Sequence, residues 1–138
     1  LLHRLQIIQN TAARMIARIP KCSHITPTLV TLHWLPIKER ILYKVLLMVV
    51  KAQHGLAPQY IAEMLKHKPK SHHSLRSDDL NMLAGPMSHS VTYGDRNFRN
   101  IAPIKWNKLP IDLRICDDLN TFKSLLKTYL FKVAYDNV

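Results

Sequence analysis

One stretch narrows the folds open to this chain more than any other. Residues 32–58, LHWLPIKERILYKVLLMVVKAQHGLAP, hold its longest apolar run, ILYKVLLMVV (41–50), broken only by Lys44. Pro36 stands where a helix would begin, in the first turn, where a missing N–H costs nothing. Gly55 and Pro58 stand where it would stop. Between them Ile37, Ile41, Val45, Met48 and Ala52 recur at helical spacing, with Leu42, Leu46 and Val49 widening the stripe. A helix apolar around most of its circumference is normally buried in a helical domain. The pattern therefore predicts a central buried helix over 36–53, with Trp34 packing against it and Arg40 and Lys44 reaching solvent.

The flanking segments predict a mainly α, compact domain of about five to six helices around that centre. A chain of 138 residues suits a single domain over 1–138, and its 47% apolar content fits a globular core. Three glycines favour helices over a turn-rich β-sandwich. Residues 2–19 read as a helix with Leu5, Ile8, Ala12, Met15, Ile16 and Ile19 on one stripe and Arg14 and Arg18 opposite. Pro20 ends it. Thr26-Pro27 starts a short helix through 32. Pro58 opens another through 66, with Tyr60, Ile61, Met64 and Leu65 inward. Residues 67–79 (HKPKSHHSLRSDD) read as an exposed basic loop, and 80–93 as a possible small β-hairpin about Gly85-Pro86. Residues 95–108 are helical again, with Phe98, Ile101 and Trp106 inward and Pro103 forcing a kink. Leu109-Pro110 ends that helix, and a last one follows, capped by Asn120 and carrying Phe122, Leu125, Leu126, Tyr129, Leu130, Val133 and Ala134 at 3-4 spacing. Trp34, Leu35, Ile41, Val45, Met48, Phe98, Trp106, Phe122 and Leu126 are the expected core.

Charge dominates the functional reading. The formal net charge is +11 with histidines neutral, and it is unevenly spread. Residues 1–38 carry Arg4, Arg14, Arg18, Lys21 and Lys38 and no acid. A second basic block runs through Lys66, Lys68, Lys70 and Arg76, and a third through Arg96, Arg99, Lys105 and Lys108. Such an excess favours phosphate contact, against the plainer reading of a solvated basic surface.

Catalytic chemistry finds little to stand on. Nothing matches a P-loop, a dinucleotide-binding glycine loop or a nucleophile elbow, so no cofactor or small-molecule substrate is expected. Cys22-x-His24 has metal-like spacing but lacks the four matched ligands of a zinc site. Asp117–Asp118 lies just ahead of the last helix, where a capping role explains it; Asp78–Asp79 reads as a solvated loop. His33 beside Trp34 has no arguable catalytic partner and reads as a corner histidine bonded to backbone. No catalytic, metal or cofactor residues are assigned. The apolar run is too short to span a bilayer, and two cysteines are too few for a disulfide scaffold, so an intracellular setting is expected, in cytoplasm and nucleus, with no membrane. There is no signal peptide or initiator Met, and Leu1 opens directly into an amphipathic pattern, so the chain reads as part of something longer.

Several strings carry a resemblance. LQIIQNTAARMI (5–16), HITPTLVTLHWLPIKERILYKVLLMVVKAQHGLAPQYI (24–61), SLRS (74–77), YGDRNF (93–98), APIKWNKLP (102–110) and FKSLLKTYLF (122–131) occur in an order and spacing similar to the region after the reverse-transcriptase domain in LINE-type, non-LTR retrotransposon polyproteins. The Jockey-like group is the nearest in character, and the pair LHWLP and WNKLP is specific. The resemblance covers nearly the whole chain. It implies a polyprotein with an endonuclease, then an RNA-directed DNA polymerase with paired catalytic aspartates, then this tail. The tail has no such aspartate motif, so it is not expected to polymerise DNA, and it lacks the cysteine–histidine zinc knuckle of some related elements. What the resemblance implies is a non-catalytic module beside the polymerase thumb that helps hold template RNA or target DNA. With the charge, it nominates Arg4, Arg14, Arg18, Lys21, Lys68, Lys70, Arg76, Arg96 and Arg99 as phosphate contacts. The alternatives are a structural or protein-interaction domain that supports the upstream polymerase, with an exposed apolar patch, and a decayed or domesticated fragment with no biochemical role.

Overall fold

The computed structural model describes residues 1–68, 81–85 and 97–135. Among these the fold is mainly α, with seven helices: α1 Leu2–Ala17, α2 Thr26–Thr31, α3 Ile37–Gln53, α4 Gln59–Glu63, α5 Phe98–Trp106, α6 Ile111–Arg114 and α7 Leu119–Tyr135. The chain divides into two compact units, Leu1–Tyr43 with Lys127–Val138, and Lys44–Leu126.

In the first unit, α1 ends where Arg18 turns left-handed (φ 51°) and Ile19 N–H donates to Arg14 O at 3.2 Å. A non-glycine residue in that conformation costs of order 1 kcal/mol, and Pro20 follows because it cannot continue the helix. Helix α2 carries Pro27 in its first turn, as the sequence predicts. His33 is left-handed too (φ 55°); its ring Nδ1 donates to Thr31 O at 3.2 Å, and the ring lies 6.0 Å from that of Phe131. That is the corner histidine expected from sequence. The Tyr135 hydroxyl donates to Trp34 O, and burial, with the nearby Glu39 charge, raises the Tyr135 phenol above its ordinary pKa. Ala13, Leu29, Leu35 and Leu130 form the apolar centre of this unit.

Helix α1 docks by an unexpected face. Its buried residues are Gln9 and Ala13. Gln6 Nε2 donates to Gln9 Oε1 (3.0 Å) and Asn10 Oδ1 (2.8 Å), and Gln9 Nε2 donates to Leu35 O (2.8 Å). Gln6 Oε1 accepts from Ile37 N–H (2.9 Å), filling one of the donors that the start of α3 leaves unpaired. The expected stripe is instead largely outside: Leu5, Ile8, Met15 and Ile16 are exposed.

Helix α3 confirms its bounds and corrects its face. It ends at a left-handed Gly55 (φ 68°), and Leu56 N–H donates to Lys51 O at 2.7 Å. Its buried residues are Leu46, Val49, Val50 and Ala52. Val45 and Met48, expected in the core, are half-buried and Ile41 is exposed; the deepest arc is centred on Leu46, about 100° round the helix from Val45. Arg40 and Lys44 reach solvent as expected. Trp34 and Phe98 are likewise half-buried, whereas Leu35, Trp106, Phe122 and Leu126 are buried.

The second unit is built on α5 and its neighbours. Asn97 caps α5 by accepting from Asn100 N–H at 3.0 Å, and Pro103 is buried inside the helix. Trp106, 1% exposed, donates its indole N–H to Asn81 O at 2.7 Å and lies 6.0 Å from Phe122, ring to ring. Asn81, left-handed at φ 60°, donates to Arg114 O, while Arg114 Nε reaches Leu109 O. Within 81–85 of the segment expected as a hairpin, Leu83 forms an isolated antiparallel bridge with His67, closed by Lys68 N–H to Met82 O and Ala84 N–H to Lys66 O. Residues 80 and 86–93 of that expectation, and 69–79 of the expected loop, lie outside the described residues. Asn107 then grips Leu83 on both sides, accepting from its N–H (3.0 Å) and donating to its carbonyl (2.8 Å).

Three smaller corrections complete the picture. Helix α4 is shorter than predicted and leaves Tyr60 and Met64 exposed, because five residues give it little face to bury. Helix α6 follows Pro110 where only a stop was expected. The last helix begins one residue before Asn120, so the cap is Asp118, whose Oδ2 accepts from Thr121 N–H at 2.6 Å. The Asp118 carboxyl is held below its ordinary pKa by the Thr121 side chain first, then by the backbone N–H groups of Thr121 and Asn120 and the Lys123 charge.

Candidate nucleic-acid interface

A phosphate-binding surface needs cations whose charged ends are free to leave water for an anion. Helix formation decides which of the nominated residues meet that test in the first unit. Arg4 is exposed on α1, Arg18 is exposed at its C-cap, and Lys21 is exposed just after Pro20. Arg4 lies in the first turn of α1 and Arg18 just past its last turn, so the two stand toward opposite ends of the helix. None of the three makes a side-chain hydrogen bond or ion pair among the described residues. Lys38, Arg40, Lys127 and Lys132, also exposed in this unit, enlarge its cationic surface beyond the residues nominated from sequence.

Arg14 is different. It is half-buried, its Nη2 donates to Ser23 O at 3.3 Å, and its Nε is buried with no acceptor. Its guanidinium pins the α1–α2 connection, which removes it from the set of freely presented cations. Sequence spacing placed it opposite the apolar stripe but gave no hint of the Ser23 carbonyl nine residues on.

In the second unit Lys68 and Arg99 are exposed, Lys68 beside the His67–Leu83 bridge and Arg99 in the first turn of α5. Lys70, Arg76 and Arg96 lie outside the described residues. Arg114, which no charge pattern singled out, is 7% exposed and serves the Leu109 carbonyl.

Among the described residues no group of three or more His, Cys, Asp or Glu is placed to hold a metal ion. Cys22 and Cys116 are free thiols. No helix among the described residues is long and apolar enough to cross a membrane. The features that remain are a lysine- and arginine-rich helical exterior and the outward apolar stripe of α1.

Set beside protein-family models, curated proteins and solved structures, the chain matches none.

Proposed function

We propose that this chain is a non-catalytic accessory module of an RNA-directed DNA polymerase polyprotein, resembling the tail of non-LTR retrotransposon proteins, and that it helps hold template RNA or target DNA by its phosphates. The observation that carries this reading is the acid-free charge of residues 1–38, of whose five cations Arg4, Arg18, Lys21 and Lys38 are exposed. Free cations facing water release counterions from a polyanion on binding, and that release drives association. The motif resemblance supplies the biological setting, and the charge supplies the chemistry.

Affinity of the 138-residue chain for a single-stranded RNA oligomer, measured against salt, tests it. Four neutralised phosphates give a slope of log K against log salt near −3, since each contributes about −0.7 on a single strand. Replacing Arg4, Arg18 and Lys21 together by alanine makes the slope shallower by about 2. A flat salt response, or an unchanged slope in the triple variant, overturns the reading.

A second reading has its own observation. A domain that supports the polymerase through protein contact presents uncovered apolar surface, and α1 carries Leu5, Ile8, Met15 and Ile16 on its exterior. The cations and the apolar stripe are different groups, which adjoin only at Arg4 and Arg18.

A further inference from the structure

Helix α1 is inverted relative to an ordinary surface helix. Its glutamines face the fold, and its apolar side chains face out, with Leu5 38%, Ile8 64%, Met15 74% and Ile16 59% exposed. Five apolar residues of this side, Ala12 among them half-buried, follow a rule. Leu1, Leu5, Ile8, Ala12 and Met15 are separated by four, three, four and three residues. That alternation is the seam of a coiled coil, in which each apolar side chain enters a hole on a facing helix. The positions flanking such a seam set the choice of partner through their charge.

The two flanks of this seam differ. One carries Arg4 and Thr11 along the helix and reaches Arg18 at the C-cap. The other carries Leu2, Gln9 and Ile16; Leu2 and Ile16 are exposed, whereas Gln9 is 6% exposed and already bonded to Leu35 O within its own unit. Arg4 and Arg18 form no ion pair among the described residues, and no carboxylate occurs in residues 1–38 to supply one locally.

This asymmetry selects among occupants. A second copy pairing antiparallel sets Arg4 of one helix against Arg18 of the other, a like-charge contact. A parallel second copy sets Arg4 beside Gln9, whose amide is already spent. A lipid surface favours a wide apolar arc with cations along both margins, whereas here only one margin carries them. We propose that the α1 seam docks an amphipathic helix of a protein partner, one with apolar residues at 3-4 spacing and carboxylates along the edge that meets Arg4 and Arg18. This deepens the protein-contact reading by giving the partner's chemistry.

Two synthetic helical peptides of about three heptads test the assignment. Both carry leucine and isoleucine at the seam; one has glutamate on its flanks and the other lysine. Fluorescence anisotropy with the 138-residue chain is expected to give the glutamate peptide at least about tenfold tighter binding. Arg4→Glu is expected to narrow or reverse that preference. Ile8→Glu is expected to weaken the glutamate peptide by about tenfold or more, with an unchanged circular dichroism melt. Equal affinity for the two peptides overturns the carboxylate assignment while leaving protein contact standing. Binding of neither peptide by the folded chain overturns both. A dimer in sedimentation, or binding to phosphatidylserine vesicles, that Ile8→Glu abolishes in a chain indifferent to the peptides assigns the seam to a second copy or to lipid and overturns the proposal.

Discussion

Exchanging two adjacent residues of α1 separates the structure from the hydropathy pattern. Hydropathy alone makes Ile8 a core residue and Gln9 a surface one; the fold reverses them, with Ile8 64% exposed and Gln9 6%. Gln9→Ala removes the bond to Leu35 O at 2.8 Å and the acceptor for Gln6 Nε2 at 3.0 Å, each worth about 1 kcal/mol net. Leu35, 7% exposed, then keeps a carbonyl poorly reached by water, which adds about 1 kcal/mol. Alanine's better helix propensity returns roughly 0.3 kcal/mol. The expected loss is therefore about 2–3 kcal/mol, or on the order of 8 °C in Tm for a chain of this size. Ile8→Gln should stay within about 0.5 kcal/mol, as an exposed substitution does. Thermal unfolding followed by circular dichroism at 222 nm measures both. If Ile8→Gln lowers Tm more than Gln9→Ala, the docking face assigned to α1 is wrong.

Two further outcomes follow from groups in the second unit. Asn107→Ala strips Leu83, which is 1% exposed, of partners for both its N–H and its carbonyl, and should cost about 3 kcal/mol; urea unfolding measures it, and a loss below about 1 kcal/mol would argue against the grip. Asp118 has a carboxyl pKa lowered by folding, so its contribution is fully present above its unfolded value near 3.9 and is lost as pH falls through the lower folded value. Asp118→Asn keeps a cap acceptor but should flatten that acid-side dependence, whereas Asp118→Ala should lower stability at neutral pH as well; acid titrations of the melting temperature distinguish the three proteins.

Helix existence was legible in the sequence wherever breakers punctuate long periodic runs. Pro36 and Gly55 bracket α3 as read, and Pro20 closes α1. Which face goes inward was less so. In the 41–50 run of α3 every residue but Lys44 is apolar, so periodicity constrains rotation weakly, and the buried arc settles on Leu46 and Val50 instead of Ile41 and Val45. In α1 the stripe is legible as a stripe, but hydropathy records which residues shun water and not whether this chain alone can cover them. The polar set Gln6, Gln9 and Asn10, spaced three and four apart, was the available signal. Helix α6 escaped notice because four residues hold barely one turn of pattern. The Trp106 bond to Asn81 joins positions 25 apart, with nothing local to announce it. Of the candidate interface, the sign and clustering of charge were legible; Arg14's service to Ser23 was not, because a carbonyl has no letter in the sequence.

Asn107 also bears on association between molecules. In the bridge with His67, the N–H and carbonyl of Leu83 itself point away from its partner strand, the arrangement that leaves a sheet edge ready to recruit another strand. A carboxamide presents one donor and one acceptor side by side, as a peptide group does, and that of Asn107 occupies both. A helix C-cap side chain thus stands in for the next strand, and at Leu83 the bridge is closed to β-augmentation by a neighbouring chain.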